Sequence, residues 1–89
     1  MAALANLTYN LREYNNAYIR ASISTSDKQL TIVTCEVWES ATARTLYDTP
    51  LFYLSYTLNT SEIACVNPQD YAYRLLEINN IFPGASYNI

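Results

Sequence analysis

The chain has 89 residues, a net charge of −3 and 51 % hydrophobic residues. Only 15 % are charged, against roughly 25 % in an ordinary soluble protein. This is room for one domain over residues 1–89, too apolar for a disordered tail. The absence of His and the single Gly exclude Ser-His-Asp and Cys-His catalysis and every glycine-rich phosphate loop.

The first six residues, Met1-Ala-Ala-Leu-Ala-Asn6, lack the basic start and length of a signal peptide and read as an arm. Leu7, Tyr9 and Leu11 then alternate with Thr8, Asn10 and Arg12, which predicts a strand near 6–14. Asn15-Asn16 reads as the turn into a second strand near 18–26, since Asn tolerates positive φ. Ser26-Asp27-Lys28 is a polar turn into a third strand near 29–39. That strand is apolar on both faces, with Val33, Cys35 and Val37 on one and Leu30, Ile32 and Trp38 on the other. It is expected to be the central, doubly covered one. Residues 39–50 form either a short helical turn capped by Ser40 or an extended arm. A fourth strand near 51–59 follows, with Phe52, Leu54, Tyr56 and Leu58 on one face. It holds no charge, so its edge is either covered or open to pairing with a neighbour.

Asn67 as N-cap, Pro68 at the first helical position and Asp70 in the first turn predict a helix. Tyr71, Leu75 and Ile78 form its apolar stripe, with Ala72 and Leu76 beside them. Asn79-Asn80 ends it and Pro83-Gly84 makes a turn. The expected fold is therefore α+β, a small antiparallel meander of about four strands with one C-terminal helix on a face.

The residue inventory offers little to catalysis. Glu36 and Glu39, three apart on a strand, point to opposite faces and cannot work as a pair. Cys35 and Cys65 are expected to be thiols of a reducing compartment, too few for a structural zinc site. No cofactor or metal is implied. The five basic residues are scattered, so nucleic acid is not an expected partner, and no apolar run is long enough for a membrane helix. The nine tyrosines are the informative feature, since so small a core cannot hold them all. Tyrosine has an apolar ring and a polar tip and suits protein interfaces. Tyr18, Trp38, Tyr47, Tyr53 and Tyr73 are the candidate contact residues, and the expected partners are copies of the chain itself, in a homo-oligomer, and other protein subunits. In that reading, segments 1–6 and 39–50 reach to neighbours.

The closing segment Asn67-Pro-Gln-Asp-Tyr-Ala-Tyr-Arg-Leu-Leu-Glu77, followed by Phe82-Pro-Gly-Ala85, resembles the C-terminal ends of small tailed-phage orphan proteins. The resemblance spans about a quarter of the chain and carries no catalytic residues. It implies a viral role in one of two forms. The first is a non-enzymatic virion component (head decoration, connector or tail) made in the host cytoplasm. The second is a small inhibitor or adaptor that binds a host protein, of the anti-defence type.

Overall fold

The computed structural model describes residues 2–60 and 68–87. Among them are five strands and two helices: β1 (Ala3–Tyr9), β2 (Arg12–Ser26), β3 (Leu30–Trp38), α1 (Ala41–Leu46), β4 (Phe52–Asn59), α2 (Pro68–Ile78) and β5 (Ser86–Tyr87). The strands make one antiparallel sheet in the order β4-β3-β2-β1-β5. The α+β meander is as expected, but β5 is a fifth strand and α1 a second helix. The centre of the sheet is β2, with β3 one place nearer the edge.

The first turn is not where the paired asparagines suggested. A two-residue hairpin loop matching the strand twist needs positive φ at both positions. Asn10 (φ 49°) and Leu11 (φ 65°) supply it, between the opposed Tyr9 and Arg12. Asn15 and Asn16 lie inside β2 instead. Asn16 (φ 55°) sits at a bulge where the β1–β2 register shifts, and its N–H donates to Asn6 Oδ1 at 2.9 Å. The extra residue changes the parity of the strand. Tyr14 and Ala17 thus both reach the buried face although three apart. Leucine in the left-handed region costs about 1–2 kcal/mol relative to glycine-like freedom. Leu11→Gly is therefore expected to raise stability by roughly 0.5–1 kcal/mol, measured as a higher denaturation midpoint.

The β2–β3 turn forms as anticipated. Asp27 N–H donates to the Leu30 carbonyl, and its carboxylate accepts from the N–H groups of Gln29 and Leu30 at 2.7 Å each. The Leu30 and Gln29 bonds hold the Asp27 carboxyl below its ordinary value. A group depressed on folding stabilises above its unfolded pKa, and that contribution fades as pH falls through the lowered folded value. The turn amides of Gln29 and Leu30 should accordingly shift with an Asp27 titration midpoint below that of a free aspartate, which a carboxyl NMR titration reads directly. An unshifted midpoint removes the two bonds.

Residues 2–6 are not an arm. Ala2 and Ala3 are fully buried, and β1 runs between β2 and β5. Nor is 39–50 extended. Ser40 caps α1, its hydroxyl accepting from Ala43 N–H at 3.1 Å.

The core lies on one face of the sheet, where Ile19, Val33, Cys35 and Val37 meet Ala72, Tyr73, Leu75 and Leu76 of α2. The helix rests mainly on β2. Small residues in this core, Ala17 and Ala21 on β2 and Ala72 on α2, leave room for close approach. Its buried stripe is rotated from the expected one: Tyr73 is inside, Tyr71 is half-buried and Ile78 is exposed. The expected N-cap, Asn67, lies outside the described residues. The end of the helix follows the asparagine signal. Asn80 (φ 52°) donates to the Glu77 carbonyl and Ile81 to the Leu76 carbonyl, both at 3.1 Å, which is the Schellman pattern. Pro83-Gly84 then makes a type II turn, with Gly84 at φ 75° and Ala85 N–H donating to the Phe82 carbonyl.

Candidate interaction surface

Seven large apolar side chains are exposed among the described residues: Leu11, Leu30, Leu46, Tyr47, Leu51, Tyr53 and Ile78. Five of them belong to three segments that converge at one end of the sheet. These are the β1–β2 hairpin tip, α1 with its exit, and the start of β4. The convergence has visible ties. The Tyr9 ring stacks on Phe52 with centroids 4.0 Å apart, and Tyr14 meets the same ring at 5.4 Å. Arg12 at the tip bonds Glu39 Oε1 at 3.0 Å, just after β3. That pair is exposed and contributes no more than about 1 kcal/mol. The stacked aromatics do most of the holding.

Trp38 is the floor of this end. It is only 2 % exposed, and its indole N–H donates to the Tyr47 carbonyl at 3.0 Å. Tyr18, opposite it on β2, approaches edge-on at 6.0 Å, and the Arg44 guanidinium lies 4.9 Å over the ring. The sheet residue thus anchors the last turn of α1 and its exit. Above it runs an open groove of about 600 Å³, lined by Trp38, Glu39, Ala43, Leu46, Tyr47, Asp48, Thr49, Pro50 and Leu51. Glu39 and Asp48 line it, Arg12 pairs with Glu39, and Arg44 lies over Trp38.

The five residues expected to make contacts divide. Tyr47 (63 % exposed) and Tyr53 (57 %) are on the surface at this end. Tyr18 is half-buried against Trp38. Trp38 and Tyr73 are interior residues of the chain itself and are not available as anchors. Strand alternation put Trp38 on the face opposite Val33, Cys35 and Val37, and the helix stripe drawn through Tyr71, Leu75 and Ile78 left Tyr73 outside it. Such spacing had no means of placing α1 over Trp38 or of setting the rotation of α2. Leu11, Leu46 and Leu51 were missed. Their signal was present, as apolar residues inside otherwise polar turn stretches.

No family model matches the chain, and no curated protein and no solved structure is significantly similar to it.

Elsewhere the surface is quieter. The sheet face away from α2 carries Ser22, Ser24, Thr34, Ser55 and Thr57, with the hydroxyls of Ser24 and Thr34 bonded and Arg20 opposite Glu36. Thr31, fully buried, has its hydroxyl satisfied by Ser26 and Thr60 at 2.8 Å each. Burial pushes the Cys35 thiol up to about 12, which leaves it protonated and inert at neutral pH. In a Cys65→Ser chain, thiol reagents should therefore label Cys35 only on unfolding. Rapid labelling of the folded chain would contradict the burial. Cys65 lies outside the described residues. Among the described residues no three His, Cys, Asp or Glu side chains cluster as metal ligands would, and no helix is long and apolar enough to cross a membrane.

Proposed function

We propose that this chain is a non-enzymatic assembly protein that works by protein–protein contact through the apolar end of its sheet. The observation that carries the reading is the gathering of exposed Leu46, Tyr47 and Leu51 on one groove, with Leu11 and Tyr53 exposed at the same end of the sheet. Exposed apolar residues scattered singly mean little, whereas a cluster rimmed by polar groups marks an interaction site. Leu11 adds weight, because an exposed leucine is kept where glycine would relieve the backbone. Tyrosine and leucine on rigid elements supply contact area at low entropic cost.

With the C-terminal resemblance, this favours a small virion component of a tailed phage, contacting copies of itself and other particle subunits. The same surface would equally serve an inhibitor or adaptor bound to one host protein. Light scattering behind a sizing column, over a dilution series, separates the two. A discrete species larger than a dimer that persists on dilution supports the particle subunit. A one-to-one complex with a single host protein supports the inhibitor. In either case the combined variant Leu46→Ser, Tyr47→Ser, Leu51→Ser should keep its fold and lose that species or complex. Association unchanged by those three substitutions would remove the apolar end from the function.

A further inference from the structure

β4 is an outer strand of the sheet, paired with β3 alone among the described residues. Edge strands are ordinarily guarded by charge, proline or a bulge. The sequence of β4, FYLSYTLN, has neither charge nor proline. Its register runs unbroken from Phe52 opposite Val37 to Asn59 opposite Leu30, whereas the β1–β2 and β2–β3 ladders each carry an irregularity. The opposite edge is built differently. There β5 covers Ala3 and Leu4, and beyond them the register shift after Ala5 bends β1.

The direction of the free amides follows from the ladder. Thr60 N–H donates to the Gln29 carbonyl at 2.9 Å. Antiparallel pairing alternates, so Leu54, Tyr56 and Leu58 direct their N–H groups to β3 as well. Tyr53, Ser55 and Thr57 present theirs outward. At the end of the strand Thr60 is tied to the β2–β3 hairpin, its hydroxyl bonded to the Asp27 carbonyl and to Thr31. Leu54, Tyr56 and Leu58 are only partly buried on the core face, so apolar surface remains along the same edge.

We propose that β4 pairs antiparallel with β4 of a second copy, across a two-fold axis through Ser55, to make one continuous sheet. This deepens the assembly reading, on which it rests, but uses a different surface. The strand is complementary to itself in that register. Phe52 faces Leu58 and Leu54 faces Tyr56 on the core side, so every pair is apolar. Tyr53 faces Thr57 and Ser55 faces its own counterpart on the other side, so every pair bears hydroxyls. The outward amides of Tyr53, Ser55 and Thr57 meet carbonyls of the same three residues. A charged partner strand would find no counter-charge on β4, whereas a second copy brings the matching neutral row. One ladder of this length is small beside the roughly 1,200–2,000 Å² of a stable interface, so the dimer is concentration-dependent.

Sedimentation equilibrium over a concentration series tests it, with Ser55→Lys and Cys65→Ser-background cysteine variants. In the Leu46→Ser, Tyr47→Ser, Leu51→Ser background, which isolates the edge from the apolar end, the mass should rise from about 10.1 kDa toward twice that. Ser55→Lys sets like charges directly opposite each other, and its edge position leaves the β3 ladder intact. In the same background it should stay monomeric with unchanged circular dichroism. Opposed residues of a hydrogen-bonded pair have Cα atoms about 5.5 Å apart, within disulfide reach. Ser55→Cys should therefore cross-link to its counterpart on oxidation, while Thr57→Cys, which faces Tyr53, should not. A chain monomeric in this background at every concentration up to millimolar overturns the proposal. So does a dimer that survives Ser55→Lys, or equal cross-linking by Thr57→Cys. A dimer lost only with Leu46→Ser, Tyr47→Ser, Leu51→Ser overturns the edge pairing and leaves the assembly reading standing.

Discussion

Tyr73→Phe is expected to destabilise the fold by about 1–3 kcal/mol, although it removes a single oxygen. The reason lies in where β1 begins. Ile19 of β2 is opposite Ala3, the first residue of β1, so two residues further on Ala21 of β2 has no β1 partner among the described residues. Ala21 N–H instead donates to the Tyr73 hydroxyl at 3.0 Å, in a buried setting. The helix completes the hydrogen bonding of the strand it covers. Phenylalanine would keep the ring and leave a buried amide unpaired, and such groups carry their full desolvation penalty. The readout is a lower urea midpoint at unchanged slope. Tyr73→Ala should cost more, about 3–5 kcal/mol, since it also empties the ring's place. If Tyr73→Phe is as stable as the wild type, the hydroxyl is not the partner of Ala21.

Trp38→Ala is expected to cost about 3–5 kcal/mol as well, through a different route. It removes the floor beneath α1, the acceptor ring for Arg44 and the donor to the Tyr47 carbonyl at 3.0 Å. A six-residue helix has too few internal bonds to persist without its contacts. The Ala41–Leu46 amides should therefore exchange freely with solvent in this variant, while those of β1–β3 remain protected. Trp38→Phe separates the two contributions. It keeps an aromatic ring and loses the indole bond, so about 1 kcal/mol of the effect should remain. Protection of α1 in Trp38→Ala would show that the helix does not depend on the tryptophan.

The two residues carry a common lesson about reading this chain. Both lie on elements that the sequence announces clearly. Period-two alternation marks 30–38 and 52–59 to within a residue or so, and the Pro68–Asp70 start and Asn80 end bracket α2. Such signals report spacing along the chain. Neither states which side of an element is covered, because covering is done by residues far away in sequence. Ala21 and Tyr73 are 52 positions apart. The bulge at Asn16 shows the same limit on a smaller scale. Two adjacent asparagines announce positive φ, and Asn16 does adopt it, but as a bulge opposite Asn6 rather than a turn. The competing turn at Asn10-Leu11 prevails because it pairs Leu7 with Tyr14 on the buried face.

Local chemistry alone determined the strand type, the turn at Asp27, the caps at Ser40 and Asn80, and the α+β class, since each rests on interactions within a few residues. The tertiary structure decided the rest: which tyrosines lie inside, that residues 3–9 form a strand within the sheet, and that five exposed apolar residues share one end. The physical reason is that burial is a property of the packed pair. A stripe of apolar side chains is equally consistent with a core and with an interface until the element opposite it is in place.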